Sequence, residues 1–186
     1  TNHKYDCADY NSVDPHFGGN IALEQLTRKL HDICMHIIID MSINHTGSAH
    51  KWFNRDNTFF PMELGAYNNP EAKERGYYFF DNDNCYDAWF NVETLPTLNY
   101  SSEKLRDVIY RAEDSIVRKW LKPPYSIDGW RFDVAYCMAR KNEAQLHHEV
   151  WPEIRRAVKG INPEAYILAE HMTDCIEFMN GSEWDA

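Results

Sequence analysis

Ile127-Asp128-Gly129-Trp130-Arg131-Phe132-Asp133 reads as a short strand that closes on an acid, and Ala165-Tyr166-Ile167-Leu168-Ala169-Glu170 repeats that pattern farther along. Aromatic and aliphatic side chains dominate both runs, as strands favour. A carboxylate at the end of a buried strand carries a desolvation cost unless it has a partner or a task. Asp133 and Glu170 are therefore the first residues to explain.

Working outward, helical and strand-like spacing alternate. Leu23, Leu26, Leu30 and Ile33 predict an amphipathic helix over 21–33 with Asn20 as its N-cap. The nearly continuous apolar run 36–43 predicts a strand buried on both faces, ending in Asn44-His45. Leu105, Ile109, Ala112, Ile116 and Trp120 predict one helix, capped by Ser101 or Ser102 and stopped by Pro123-Pro124. A strand over 127–134 follows, then a shorter helix with Pro152 in its first turn and Gly160 just past its end, then a strand over 165–170. Such alternation implies βαβ units with parallel strands, an α/β fold.

Residues 45–100 break this rhythm. They are rich in Asn, Asp, Pro and Gly, interleaved with Trp52, Phe53, Tyr77, Tyr78, Phe79, Phe80, Trp89 and Phe90. A loop of that length without structure is improbable, so the stretch is expected to be a small inserted subdomain. The organisation predicted is 1–44, the insert 45–100, and 101–186.

Composition narrows the function. The 186 residues are 44% hydrophobic and 14% aromatic, enough for a sizeable core. A net charge of −10 argues against a nucleic-acid partner, which would require clustered Lys and Arg, and favours a neutral ligand. There is neither an apolar run of membrane-spanning length nor a signal-like start, so no membrane partner is implied. Cys7, Cys34, Cys85, Cys137 and Cys175 form no C-x-x-C pair, which points to a reducing, cytoplasmic setting without a zinc site. The chain begins at Thr1 and ends mid-element at Ala186, as a piece of a longer protein would.

In parallel α/β architecture functional side chains gather at the carboxyl ends of strands. Arg131 and Asp133 share one face of their strand, where the guanidinium would hold the carboxylate ionised, as a nucleophile requires. Glu170 follows Ile167, Leu168 and Ala169, an apolar setting that would keep it protonated as a general acid. Two carboxyls in these roles are what glycosidic bond cleavage uses. An Asp beside an Arg is also a common structural ion pair, and a single histidine such as His45 is commonly structural.

Three segments tip that balance. Asp40-Met41-Ser42-Ile43-Asn44-His45, Gly129-Trp130-Arg131-Phe132-Asp133-Val134 and Ala169-Glu170-His171 resemble, in order, three conserved regions of the α-amylase family, glycoside hydrolase family 13. Leu95-Pro96-Thr97-Leu98-Asn99 is similar to the family's extra motif near the end of its inserted subdomain. Lys4–Tyr10 and Asp14–Gly19 resemble the branch of neopullulanases, cyclomaltodextrinases and maltodextrin glucosidases, and 113–122 with 164–171 resemble the last of these.

The resemblance implies a partial (β/α)8 TIM barrel, about strands two to five, with the subdomain inserted after strand three. It implies Asp133 as nucleophile, Glu170 as acid/base, and Tyr5, His45, Arg131, His171 and Trp89 as substrate-binding residues, with Asp40 and Asn44 as structural braces. The family's fourth region, which carries a third catalytic aspartate, has no counterpart here. The implied function is the catalytic centre of a retaining α-glucan hydrolase acting on maltodextrins. The alternatives are a transglycosylase using the same carboxylates, or a non-catalytic carbohydrate-binding or structural piece.

No cofactor is implied. Asp81-Asn82-Asp83-Asn84 hints at calcium but lacks the Gly and distal Glu of a calcium loop, so a solvated turn is expected. His147-His148-Glu149 is expected at the surface, the 77–80 aromatics in the core of the insert, and Trp52 beside Trp89 as a sugar-stacking candidate. Two open sheet edges would favour self-association, so a homo-oligomer is possible.

Overall fold

The computed structural model describes residues 3–81, 85–141 and 143–186. Three short parallel strands, β1 (Ile38–Met41), β2 (Gly129–Phe132) and β5 (Tyr166–Ala169), form one sheet in the order β1-β2-β5. A separate antiparallel pair joins β3 (Arg140–Lys141) to β4 (Ala144–Gln145). The expected α/β fold with parallel pairing is present, each strand being shorter than its apolar run.

Register aligns the ends of the three strands. Asp40 lies opposite Arg131 and Arg131 opposite Leu168; Met41, Phe132 and Ala169 form the last rung. The ladder extends one step further, Asp133 N donating to Met41 O at 3.0 Å and Glu170 N to Phe132 O at 2.9 Å. Both acids thus emerge side by side just past the sheet. At the opposite end β2 and β5 meet closely, since a Cβ on Gly129 would stand 2.2 Å from the carbonyl oxygen of Tyr166.

β2 alternates as a central strand should. Trp130 and Phe132 turn to one face, where the Trp130 indole donates to Val117 O at 3.2 Å and Phe132 meets Trp151 edge-on at 5.2 Å. Arg131 and Asp133 turn to the other. The covering layer is α3 (Ile116–Leu121) with α4 (His147–Lys159), whose buried stripe is Val150, Trp151, Ile154, Ala157 and Val158.

Several expectations are corrected. β1 is not buried on both faces: Ile38 is 39% exposed and Asp40 is exposed, so the face that carries them is open to solvent. Helix α1 (Gly19–Asp32) starts after a left-handed Gly18, not at Asn20, whose side chain instead accepts from Val13 N and donates to Asn11 O. Of its apolar stripe Leu23 is buried, whereas Leu26 and Ile33 are exposed. The predicted 105–120 helix is two. Ser102 caps α2 (Glu103–Arg106), which widens into a π turn at Asp107–Arg111, and Ala112 is extended before α3 begins. Burial of Leu105, Ile109, Ile116 and Trp120 survives the break, so packing overrides the helical pattern.

In α4, Pro152 lies beyond the first turn. The hydrogen bond it forgoes is offset by the buried stripe around it. His147 is buried, not at the surface, while His148 pairs with Glu183 at 2.8 Å and Glu149 with Arg106.

Residues 45–100 hold few regular elements. They are joined by isolated bridges, His45 with Thr97, Tyr78 with Leu98, Phe80 with Tyr86 and Ala88 with Pro96. Phe53, fully buried, gathers Tyr67, Tyr78, Phe80 and Tyr86 at ring distances of 4.7–5.8 Å. Trp52 is buried against Tyr10, His50 and Tyr77, so it serves the core and is not free to stack on a sugar. Of the 81–84 segment, residues 82–84 lie outside the described residues. No helix among the described residues is long and apolar enough to cross a membrane.

Candidate active site

Asp40, Arg131, Asp133 and Glu170 meet where β1, β2 and β5 end. Arg131 is the hub: Nη1 stands 3.0 Å from both oxygens of Asp40 and 2.6 Å from Asp133 Oδ1, and Nη2 stands 3.3 Å from Glu170 Oε2. Tyr5 reaches the same cluster, its hydroxyl donating to Asp40 Oδ2 at 3.1 Å. The segment carrying Tyr5 is pinned by Gly47, whose N–H donates to Cys7 O at 2.8 Å. A Cβ there would come within 2.5 Å of Asp6 O.

The carboxyls of Asp133 and Glu170 both meet the Arg131 guanidinium and titrate as one pair. Their protonation order reverses the sequence expectation. Burial pushes Asp133 up to about 6 against the pull of Arg131, and the hydrogen bond and charge of Glu170 add to the rise. Glu170 is held below its ordinary value, chiefly because Oε2 accepts the Val134 N–H at 2.8 Å. The reason is exposure: Asp133 is buried, whereas the Glu170 side chain is 38% exposed and reaches a backbone donor.

His45 is 1% exposed, and burial lowers it to about 4. Its ring stacks on Trp89 at 5.6 Å, with Ser42 Oγ and Asn44 Nδ2 near its nitrogens. Asn44 is buried, its carbonyl accepting Leu98 N at 2.9 Å. Trp89 also meets the exposed Phe90 edge-on at 4.9 Å, and its indole nitrogen is buried without a hydrogen-bond partner. His171 is half-buried among Tyr136, Phe178 and Trp184, and burial pushes the Tyr136 hydroxyl up to about 12.

The structure thus joins Tyr5, Asp40, Arg131, Asp133 and Glu170 through direct polar contacts. His45, Asn44 and Trp89 form a second group, and His171 sits apart from it in the described contacts, among Tyr136, Phe178 and Trp184. Val134 went unnoticed in the sequence, because its contribution is a backbone N–H that no side-chain pattern announces. Among the described residues no group of three or more His, Cys, Asp or Glu side chains is placed to hold a metal ion.

The family model described as alpha amylase, catalytic domain, matches residues 1–186. Cyclomaltodextrinase of Geobacillus thermopakistaniensis (strain MAS1) is 29% identical over all of this chain, which spans 29% of that protein. Intracellular maltogenic amylase of Bacillus subtilis (strain 168) is 30% identical, again over all of this chain and 29% of its own length. Among solved structures, the debranching enzyme of Nostoc punctiforme superposes on the whole chain with a TM-score of 0.81 at 28% identity, over 36% of its length. A cyclomaltodextrinase does so at 0.79 and 27%, over 29% of its length. The chain therefore spans less than a third of the length of these two curated relatives.

Proposed function

The chain belongs to the α-amylase family, and from that membership we propose that it is the catalytic centre of a retaining glycoside hydrolase that cleaves α-glucosidic bonds in maltodextrins. The observation that carries this reading is the Asp133–Glu170 pair, placed at the ends of adjacent parallel strands and spanned by Arg131. Retaining enzymes keep their carboxyls about 5–5.5 Å apart, and inverting ones hold them about 6.5–9.5 Å apart to admit a water. Two carboxyls held by the two terminal nitrogens of one guanidinium, at 2.6 and 3.3 Å, suit the closer spacing.

In this mechanism Asp133 attacks the anomeric carbon while Glu170 protonates the departing oxygen; Glu170 then takes a proton from the water that releases the sugar. Arg131 balances the negative charge of the cluster throughout. A bound sugar would cover the exposed side of Glu170 and raise its proton affinity, moving the shared proton to where the leaving group needs it. Tyr5, His45, Trp89 and His171 are the proposed sugar contacts, with Asp40 and Asn44 as braces. The chain would supply strands two to five of a (β/α)8 barrel from 1–44 and 101–186, with 45–100 as the inserted subdomain. The work is assigned to the cytoplasm and needs no cofactor.

Hydrolysis of 4-nitrophenyl α-glucoside and maltotriose by the protein carrying this chain tests the reading. Asp133→Asn and Glu170→Gln should each lower kcat by on the order of 10³-fold or more. Undiminished turnover in either variant refutes its role. The two carboxyls titrate as a pair, so kcat/KM should peak while one proton is shared, between a lower limb beneath the ordinary glutamate value of 4.5 and an upper limb of about 6. An optimum on the alkaline side of neutrality contradicts this assignment.

A further inference from the structure

Val134 has φ 44° and ψ 38°, the left-handed region, although its side chain is β-branched and only 5% exposed. Such a residue is a conformational outlier, and strain of this kind persists only where surrounding structure enforces it. The backbone ladder passes through Asp133 N and Glu170 N and ends there. At the next residue the chain turns into a 3-10 turn over Ala135–Cys137, with Cys137 N donating to Val134 O at 3.0 Å. That turn swings the Val134 N–H onto Glu170 Oε2 at 2.8 Å, inside the 3.3 Å reach of Arg131 Nη2 to the same oxygen.

We propose that the strained backbone amide of Val134 is a positioning group for Glu170, holding its carboxyl against Asp133 in the orientation the acid/base step requires. The proposal rests on the hydrolase reading above. It deepens that reading by assigning the orientation of the acid to a main-chain donor on the neighbouring strand. The nucleophile and the donor that aims its partner are then consecutive residues, so any shift of Asp133 carries the acid with it. Other groups facing Glu170 are Arg131 and Asp133 from β2, Tyr136 and Cys137 from the turn that follows, and His171 beside it in the chain.

The decisive variant replaces the Val134 amide by an ester, through incorporation of the α-hydroxy analogue of valine, which removes the N–H and keeps the side chain. Val134→Gly is its counterpart, keeping the N–H and tolerating the left-handed conformation. With 4-nitrophenyl α-glucoside, the ester should lower kcat about tenfold or more and move the acidic limb of kcat/KM upward by roughly half a pH unit. The sign follows because a donor to the ionised carboxylate has been lost. The glycine variant should leave that limb in place. The carboxyl ¹³C resonance of Glu170, followed against pH in both variants, reads the same change without turnover. An ester that only lowers the melting temperature, with limb and resonance unmoved, overturns the proposal, as does an equal shift in the glycine variant. An unaltered protein that hydrolyses no α-glucoside while the ester still shifts the Glu170 titration would refute the parent reading and leave the amide's hold on Glu170 standing.

Discussion

Arg131 faces three carboxylates with one positive charge, and Asp133, the most buried of them, holds its proton to about 6. A second set of residues is kept neutral for the opposite reason. Burial lowers His45 and His147 to about 4 and His50 to about 3, from an ordinary value of 6.5. The unfolded chain binds protons at these positions from about pH 6.5 downward, and the folded chain does so only near 3–4. Stability from the histidines is therefore full above pH 6.5 and drains away as pH falls through that window. Asp133 runs the other way between its ordinary 3.8 and about 6, partly offsetting the loss. His50 contributes most directly, caged by Tyr10 and Trp52 with Nε2 unpartnered. His50→Phe should flatten the fall of the urea midpoint between pH 7 and 4. It should also cost about 1 kcal/mol at pH 7, because Nδ1 accepts from Trp52 N at 3.1 Å. An unchanged pH slope would assign the acid sensitivity elsewhere.

At the scale of elements, the meeting of β2 and β5 is the tightest point in the sheet. Gly129 pairs with Tyr166, and no side chain fits between them. Gly129→Ala should destabilise by about 3 kcal/mol in urea unfolding and lower activity with it, since the same register brings Asp133 beside Glu170. A near-neutral effect would mean that β5 can shift without cost. Strand identity was legible because an apolar run ending in an acid needs no tertiary information. Helix continuity over 105–120 was not: Ala112 is a good helix former, yet the chain extends there to let α3 pack beside α4. The place of Pro152 escaped for a related reason, because buried neighbours in α4 outweigh one missing hydrogen bond.

Across the whole molecule, one side of the sheet remains open. Among the described residues β1 pairs only with β2, and Ile21, Leu26, Ile33, Met35 and Ile38, in and between α1 and β1, are exposed. A cleft beside β1 is lined by charged and polar side chains, Lys4, Tyr5, Asp9 and Asp40, as well as by Ile39. Uncovered apolar surface next to a free strand edge promotes association. Prepared alone, the 186-residue chain should self-associate in light scattering and melt with low cooperativity. A compact monomer with a sharp transition would contradict this.

The sequence by itself determined the α/β class, the family, and the two acids with the arginine between them. Strand ends, residue types and ordered motifs are local facts that survive without coordinates. Only the tertiary structure decided that burial raises Asp133 and that a main-chain donor holds Glu170 in place. Both depend on burial and on a backbone donor from another strand, and neither quantity belongs to any one segment: Asp133 loses water to the packing around it, while Glu170 is fixed by the N–H of Val134.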